Sequence, residues 1–225
     1  MALCTHAGSG GGSVRYTGPE AEALQALEHG GWFARRAMHW MIFGGVFERH
    51  PGLTLVLVEQ PGLWWGPTMV EMDSVHRMQR EVLQERISAL PSEYAARNVR
   101  IGASFLAAFE AEHAVAEGYA DLVLWGSDYP HMEGTFQHRE PADAPASERS
   151  VTRLALRATC SGLAEGDVRR MLGGNAVRTF GLDGAALAEV ARAIDAPTPE
   201  ELARPLEEPP PHAGLLAFRS FGPWA

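Results

Sequence analysis

The sequence predicts an α/β fold in which four strand-and-helix units are arranged around a parallel sheet. Short apolar runs bounded by turn residues alternate with longer segments of helical periodicity, as in repeated βα units. The run at residues 53–58 is apolar at nearly every position, which is typical of a strand buried on both faces. A chain of 225 residues with 46% hydrophobic and 21% charged residues has the composition of a globular domain with a sizeable core.

Each of the four units runs from a strand through a loop into a helix. The strands are predicted at residues 2–5, 53–58, 99–104 and 122–125. The helices are predicted at about residues 19–39, 67–89, 107–117, 147–159 and 165–172. Pro19 suits the first turn of the first helix, where its missing N–H costs nothing. The chain therefore divides into a main domain at 1–183 and a C-terminal segment at 184–225.

The C-terminal segment is predicted to hold a helix followed by an extended tail. The stretch at 197–211 is rich in proline and ends in three consecutive prolines at 209–211. Proline has a fixed φ and no N–H, so such a run neither continues a helix nor enters a sheet interior. The tail is expected to lie on the domain or to leave it.

The charge distribution argues against a nucleic-acid partner. The formal net charge is −9, and no cluster of basic residues is present. All nineteen basic residues are arginine, so the chain has no lysine for a Schiff base, a phosphate-binding loop or a carbamylated metal bridge. These three kinds of site are therefore excluded.

Cysteine content and hydropathy favour a cytoplasmic protein. Two cysteines, Cys4 and Cys160, are too few for a disulfide framework, and no secretory leader is recognised at the start of the chain. The longest apolar runs are far shorter than the ~20 residues that span a bilayer, so no membrane partner is expected.

Polar side chains stand at the end of each predicted strand. They are His6, Glu59, Ser104 and Asp128. In a parallel α/β barrel the carboxyl ends of the strands form the active site. Imidazole and carboxylate groups from different strands can bind one metal ion, because both are ordinary ligands of zinc and similar metals. The sequence therefore suggests a metal site at this end of the sheet.

Structural interpretations of the same residues remain open at this point. His6 beside a glycine-rich loop could be a plain loop residue, and Asp128 could be a turn former with His131 as its hydrogen-bond partner. Glu59 could cap the next helix or pair with an arginine. The tryptophans at 64–65 are interpreted as packing residues rather than as a substrate platform.

Four segments resemble the amidohydrolase-related family, whose members include metal-dependent hydrolases and nonoxidative decarboxylases. The most specific, Leu-Trp-Gly-Ser-Asp-Tyr-Pro-His-Met-Glu-Gly-Thr at 124–135, is similar to the family's last-strand signature. The other three are Thr-His-Ala-Gly at 5–8, Gly-Val-Phe-Glu-Arg-His-Pro at 45–51 and Gly-Asn-Ala-Val-Arg-Thr-Phe-Gly at 174–181. The resemblance covers roughly residues 2 to 183.

This resemblance implies a partial (β/α)8 TIM barrel whose strands correspond to five to eight of the complete barrel. It implies that His6 is a metal ligand and that Asp128 is the carboxylate touching both the metal and the attacking water. Glu59 would be a second acid or base. The implied cofactor is a divalent metal, zinc first, and the implied substrates are small aromatic or cyclic carboxylic acids. Two ligands of one ion must lie close together, so the donor atoms of His6 and Asp128 are expected within ~6 Å.

The sequence departs from the family pattern in two places. The His-x-His pair of the family's first strand has no counterpart here, and Glu59 stands where many decarboxylases have a histidine. The expected function is a metal-dependent hydrolase, truncated and inactive alone. The alternatives are a carboxy-lyase on a small aromatic or cyclic acid and a noncatalytic remnant. The expected partners are a small-molecule substrate and either a second copy or another chain that supplies the rest of the barrel.

Overall fold

The computed structural model describes residues 1–7, 16–104, 106–129 and 151–207. It confirms the α/β class and the alternation of strands with helices. Within these residues the strands are β1 (Ala2–His6), β2 (Thr54–Val58), β3 (Val99–Ser104) and β4 (Val123–Gly126). The α-helices are α1 (Ala21–Glu28), α2 (Ala34–Phe43), α3 (Val46–Arg49), α4 (Trp65–Met78), α5 (Arg80–Leu83), α6 (Pro91–Asn98), α7 (Ala108–Ala116), α8 (Val151–Cys160), α9 (Glu165–Arg169), α10 (Asn175–Phe180), α11 (Gly184–Ala193) and α12 (Pro199–Ala203).

The strands form one sheet in the order β1-β2-β3-β4. β1 pairs in parallel with β2, with Ala2 opposite Thr54 and His6 opposite Val58. β2 pairs in parallel with β3 around Leu57 and Ile101. Parallel pairing in chain order places the carboxyl ends of these strands at the same edge of the sheet, as the sequence predicted.

The chain divides into two compact units, residues 1–102 and residues 103–225. In the first unit the buried side chains come from β2, from its neighbour β3 and from helices α2, α3, α4 and α6. They include Met38, Ile42, Phe47, Leu55, Leu57, Met72, Tyr94 and Val99. In the second unit Leu156, Cys160, Val168 and Leu202 form a buried cluster against which Trp125 packs.

The only two asparagines of the chain are both buried, and each ties down the backbone just ahead of a strand. Nδ2 of Asn98 donates to the carbonyls of Pro51 (2.9 Å) and Leu53 (2.7 Å), immediately before β2. Nδ2 of Asn175 donates to the carbonyls of Ala120 (2.8 Å) and Val123 (2.6 Å), where β4 begins. One amide thus donates to two backbone carbonyls in each case, which ties the two segments together.

Helix boundaries differ from the predicted ones in two places. The helix predicted at about 67–89 is divided into α4 and α5, and beyond α5 the N–H groups of Ser88 and Ala89 donate to the Tyr94 hydroxyl (3.1 and 3.3 Å). The helix that carries Tyr94, α6, was missed by the prediction. The helix predicted at about 19–39 contains a π-helical turn at His29–Phe33, where two consecutive glycines weaken the regular pattern.

The C-terminal segment begins with α11, capped by the Asp183 carboxylate, which accepts from the N–H groups of Ala185 and Ala186. α12 follows, and its Thr198 hydroxyl accepts from the N–H of Glu201. The prolines at 209–211, predicted to form an extended tail, lie outside the described residues. None of the helices in the described part of the chain is long and apolar enough to cross a membrane.

Candidate functional site

His6 and Glu59 meet at the carboxyl ends of two adjacent parallel strands. His6 is the last residue of β1, and Glu59 directly follows β2. His6 lies opposite Val58 in the paired strands, so the His6 ring lies beside Glu59, the residue that follows Val58. Nδ1 of His6 lies 3.5 Å from Oε2 of Glu59. The sequence placed both residues at strand ends, and the structure brings them together.

The surroundings of His6 determine which ring nitrogen carries the proton. Nδ1 lies 2.9 Å from the carbonyl oxygen of Ala7 and close to the Glu59 carboxylate, and both of these groups only accept hydrogen bonds. Nδ1 is therefore the protonated nitrogen of the neutral ring, and Nε2 keeps a free lone pair. The His6 side chain is 53% exposed. A histidine oriented by a carboxylate or carbonyl on one nitrogen is the usual form of a metal-binding histidine.

Glu59 has an unusual backbone conformation and a buried side chain. Its φ is +55°, in the left-handed region that side chains other than glycine seldom adopt. The residue is 8% exposed, which is rare for a glutamate. Asp128 also has a positive φ, +56°, so two of the three described non-glycine residues with this conformation are the predicted strand-end carboxylates. Such strain is concentrated at functional sites in proteins.

Gln60 holds the chain immediately after Glu59. It is 2% exposed, and its backbone N–H donates to the carbonyl of Gly102 in β3 (2.8 Å). Its side-chain Nε2 donates to the carbonyl of Glu59 (2.7 Å), and its Oε1 accepts from Nε of Arg35 (2.9 Å). Burial lowers the pKa of Arg35 to about 10, which still leaves the guanidinium charged at neutral pH.

The tryptophans at 64–65 have structural roles, as the sequence favoured. Nε1 of Trp64 donates to the carbonyl of Gln60 (2.8 Å), and Cζ of Arg35 lies 4.3 Å from the centre of the Trp64 ring. Trp65 is buried and begins α4. The Trp64 ring therefore supports the loop that follows β2.

Asp128 and Ser104 belong to the second compact unit. Ser104 ends β3 and is buried, and Asp128 lies two residues beyond β4 and is partly buried. His131, the expected hydrogen-bond partner of Asp128, lies outside the described residues. The expected proximity of His6 and Asp128 stays a prediction.

The donors in the described ranges do not by themselves complete a metal site. No group of three or more His, Cys, Asp or Glu side chains that could hold a metal ion occurs among them. Zinc sites in proteins usually have at least three protein ligands. The Nε2 atom of His6 has the chemistry of a ligand, but His6 and Glu59 alone fall short of this number.

The amidohydrolase family matches residues 6–182, a range that includes His6, Glu59 and Asp128. The chain belongs to the amidohydrolase family. This match confirms the family resemblance that the strand-end motifs indicated. No curated protein matches the chain.

Two solved structures are similar to this amidohydrolase-family chain. The amidohydrolase map2389c from Mycobacterium avium subsp. paratuberculosis K-10 is 24% identical, with a TM-score of 0.55 over 73% of this chain and 37% of its own. The 5-carboxyvanillate decarboxylase LigW from Sphingomonas paucimobilis is 21% identical, with a TM-score of 0.47 over 69% of this chain and 41% of its own. The chain spans less than half the length of either protein.

The left-handed backbone of Glu59 gives a stability prediction. We expect Glu59→Gly to be more stable than Glu59→Ala by about 1 kcal/mol, because both variants lose the carboxylate but only alanine keeps a Cβ at positive φ. Urea denaturation of the two variants measures the difference.

Glu71, exposed in the middle of α4, is the matched control. There the order should reverse, with glycine less stable than alanine by about 1 kcal/mol, because a helix interior penalises glycine. If the alanine variant is the more stable one at both positions, the Glu59 conformation is not strained.

Sequence reasoning missed Arg35 and Gln60, which support Glu59. Gln60 follows a predicted strand end and could have been inspected for that reason. Arg35 lies on α2, and nothing in the sequence connects it with a loop 25 residues later.

Proposed function

We propose that this chain supplies part of the active site of a metal-dependent hydrolase of the amidohydrolase family. His6 and Asp128 are the proposed metal ligands, and Glu59 is the proposed second acid or base. The observation that carries the proposal is the contact between His6 and Glu59, at the carboxyl ends of adjacent parallel strands. This end of a parallel α/β sheet is where barrel enzymes place their catalytic groups.

The two residues of this contact have complementary tasks. Glu59 and the Ala7 carbonyl hold the proton on Nδ1 of His6, which leaves Nε2 to bind the metal. A bound divalent metal such as zinc would supply a water of lowered pKa and would polarise a carbonyl of the substrate. The Glu59 carboxylate, buried beside His6, can accept or return a proton at this end of the sheet.

A complete metal site needs donors beyond those in the described residues. We propose that they come from further βα units that close the sheet into a barrel, supplied by a second copy or by another chain. In the sheet order β1 and β4 are the edges, and an edge of a parallel sheet presents N–H and C=O groups for pairing. The strand numbering, five to eight of a complete barrel, belongs to the same proposal.

The experiment measures mass, metal content and products on one preparation of residues 1–225. We expect light scattering to show association with a second copy or a partner, because pairing would cover the sheet edges. Elemental analysis should find well under one zinc per isolated chain, because fewer than three ligands are grouped in the part of the chain that the structure describes. A stable monomer with one zinc per chain and turnover would contradict the incomplete site.

The products distinguish the two reaction types in any associated, active preparation. Small aromatic or cyclic acids and their esters and amides are the substrates to offer. We expect water to be added without release of carbon dioxide, since Glu59 stands where the resembling decarboxylases often have a histidine. Carbon dioxide as the product would instead establish the carboxy-lyase alternative, and no turnover in any associated form would favour a noncatalytic remnant.

A further inference from the structure

We propose that Gln60 is a positioning residue that holds Glu59 against His6. The inference rests on the proposed function, because it concerns the contact that carries it. Gln60 is 2% exposed, and its side-chain amide bonds to the Glu59 carbonyl and to Arg35. It acts through the backbone of Glu59. Its effect is measured by the ratio of the two tautomers of the His6 ring.

The Gln60 side chain bonds at both ends of its amide. Nε2 donates to the carbonyl of Glu59, the residue directly before it, while Oε1 accepts from Nε of Arg35 on α2. The donor at one end and the acceptor at the other fix the orientation of the amide, since Arg35 can only donate and a carbonyl can only accept. The amide therefore links the Glu59 backbone to a helix of the first unit.

The backbone of Gln60 is held as firmly as its side chain. Its N–H donates to Gly102 in β3, and its carbonyl accepts from Nε1 of Trp64. Gly102 allows this close approach, because a Cβ there would lie 2.9 Å from Cα of Val58. The chain is thus fixed on both sides of the bend after β2.

This fixation explains how Glu59 keeps a costly conformation. A glutamate at φ +55° relaxes unless its neighbours prevent it. The bond from Gln60 Nε2 to the Glu59 carbonyl opposes rotation of that peptide. While the peptide is held, the Glu59 carboxylate lies 3.5 Å from Nδ1 of His6. Loss of the bond should release Glu59 and weaken its contact with His6.

Gln60→Glu tests this step. The variant keeps an acceptor for Arg35 and replaces the donor to the Glu59 carbonyl with a second acceptor, which repels that carbonyl. We expect the ratio of the Nδ1–H to the Nε2–H tautomer of His6 to fall by roughly threefold, as for the loss of one weak hydrogen bond. The fall is limited because the Ala7 carbonyl still accepts from Nδ1. Histidine-selective 15N NMR at about pH 8.5, where an ordinary ring is neutral, measures the ratio.

Two further variants decide how the result is interpreted. Gln84→Leu alters an exposed glutamine and should leave the His6 tautomer ratio unchanged. Glu59→Ala removes the carboxylate itself and should lower the ratio at least as much as Gln60→Glu. The His6 signal is assigned by its loss in His6→Asn.

The outcomes separate the inference from the proposed function. If Glu59→Ala lowers the ratio and Gln60→Glu does not, the positioning role of Gln60 is overturned and the His6–Glu59 contact stands. If Glu59→Ala has no effect, the contact fails and both proposals fall. Should Gln60→Glu not fold, Gln60→Met, which also removes the donor to the Glu59 carbonyl and is similar in length, takes its place with the same outcomes.

Discussion

Asn175→Leu is expected to lower the free energy of unfolding by about 1–3 kcal/mol, because it removes the buried amide that donates to the carbonyls of Ala120 and Val123. The Ala120 carbonyl keeps the N–H of Val123 as a donor, so the loss falls mainly on the Val123 carbonyl, and leucine cannot replace that bond. Arg178 also loses the Oδ1 atom to which it donates. Urea denaturation followed by circular dichroism measures the change.

Glu189→Leu on the exposed face of α11 controls for the introduction of a leucine and should change stability little. Asn98→Leu should reproduce the large loss in the first unit, where Pro51 and Leu53 would lose their donor. An Asn175→Leu variant as stable as Glu189→Leu would show that the two carbonyls find other partners.

The fold class could be predicted because the apolar pattern of the strands is dictated by burial on both faces. The run at 53–58 became β2, and the predicted strand at 99–104 matches β3. The sequence was less informative about helix boundaries. α6 was missed although Pro91 stands at its first position and Glu93 accepts from the N–H of Leu90, because the residues ahead of it at 67–89 have helical composition throughout.

The site was predictable as far as it depends on strand ends. Parallel strands bring their carboxyl ends to one edge, so His6 and Glu59 could be selected from spacing alone. Their contact through Nδ1 and the left-handed backbone of Glu59 could not, because both depend on tertiary neighbours. Arg35 reaches Gln60 from a helix that precedes β2, a relation between distant segments that no periodicity encodes.

His6→Ala is expected to weaken zinc binding by more than ~100-fold, since it removes a direct ligand. Removing a residue that hydrogen-bonds to a metal-binding histidine lowers metal affinity by about 10- to 100-fold. Glu59→Gln should therefore have an intermediate effect on zinc affinity. Binding by the wild-type chain should itself be weak, because fewer than three ligands are grouped in the described residues.

Calorimetric titration of zinc into four forms of the chain tests most directly whether His6 presents Nε2 to a metal at the carboxyl end of the sheet. The fourth form is His50→Ala, which removes an exposed histidine ahead of β2, at the opposite end of that strand. We expect equal affinity for the wild type and His50→Ala, lower affinity for Glu59→Gln and the lowest for His6→Ala. Zinc binding by His6→Ala that is as tight as by the wild type would show that His6 is not a ligand.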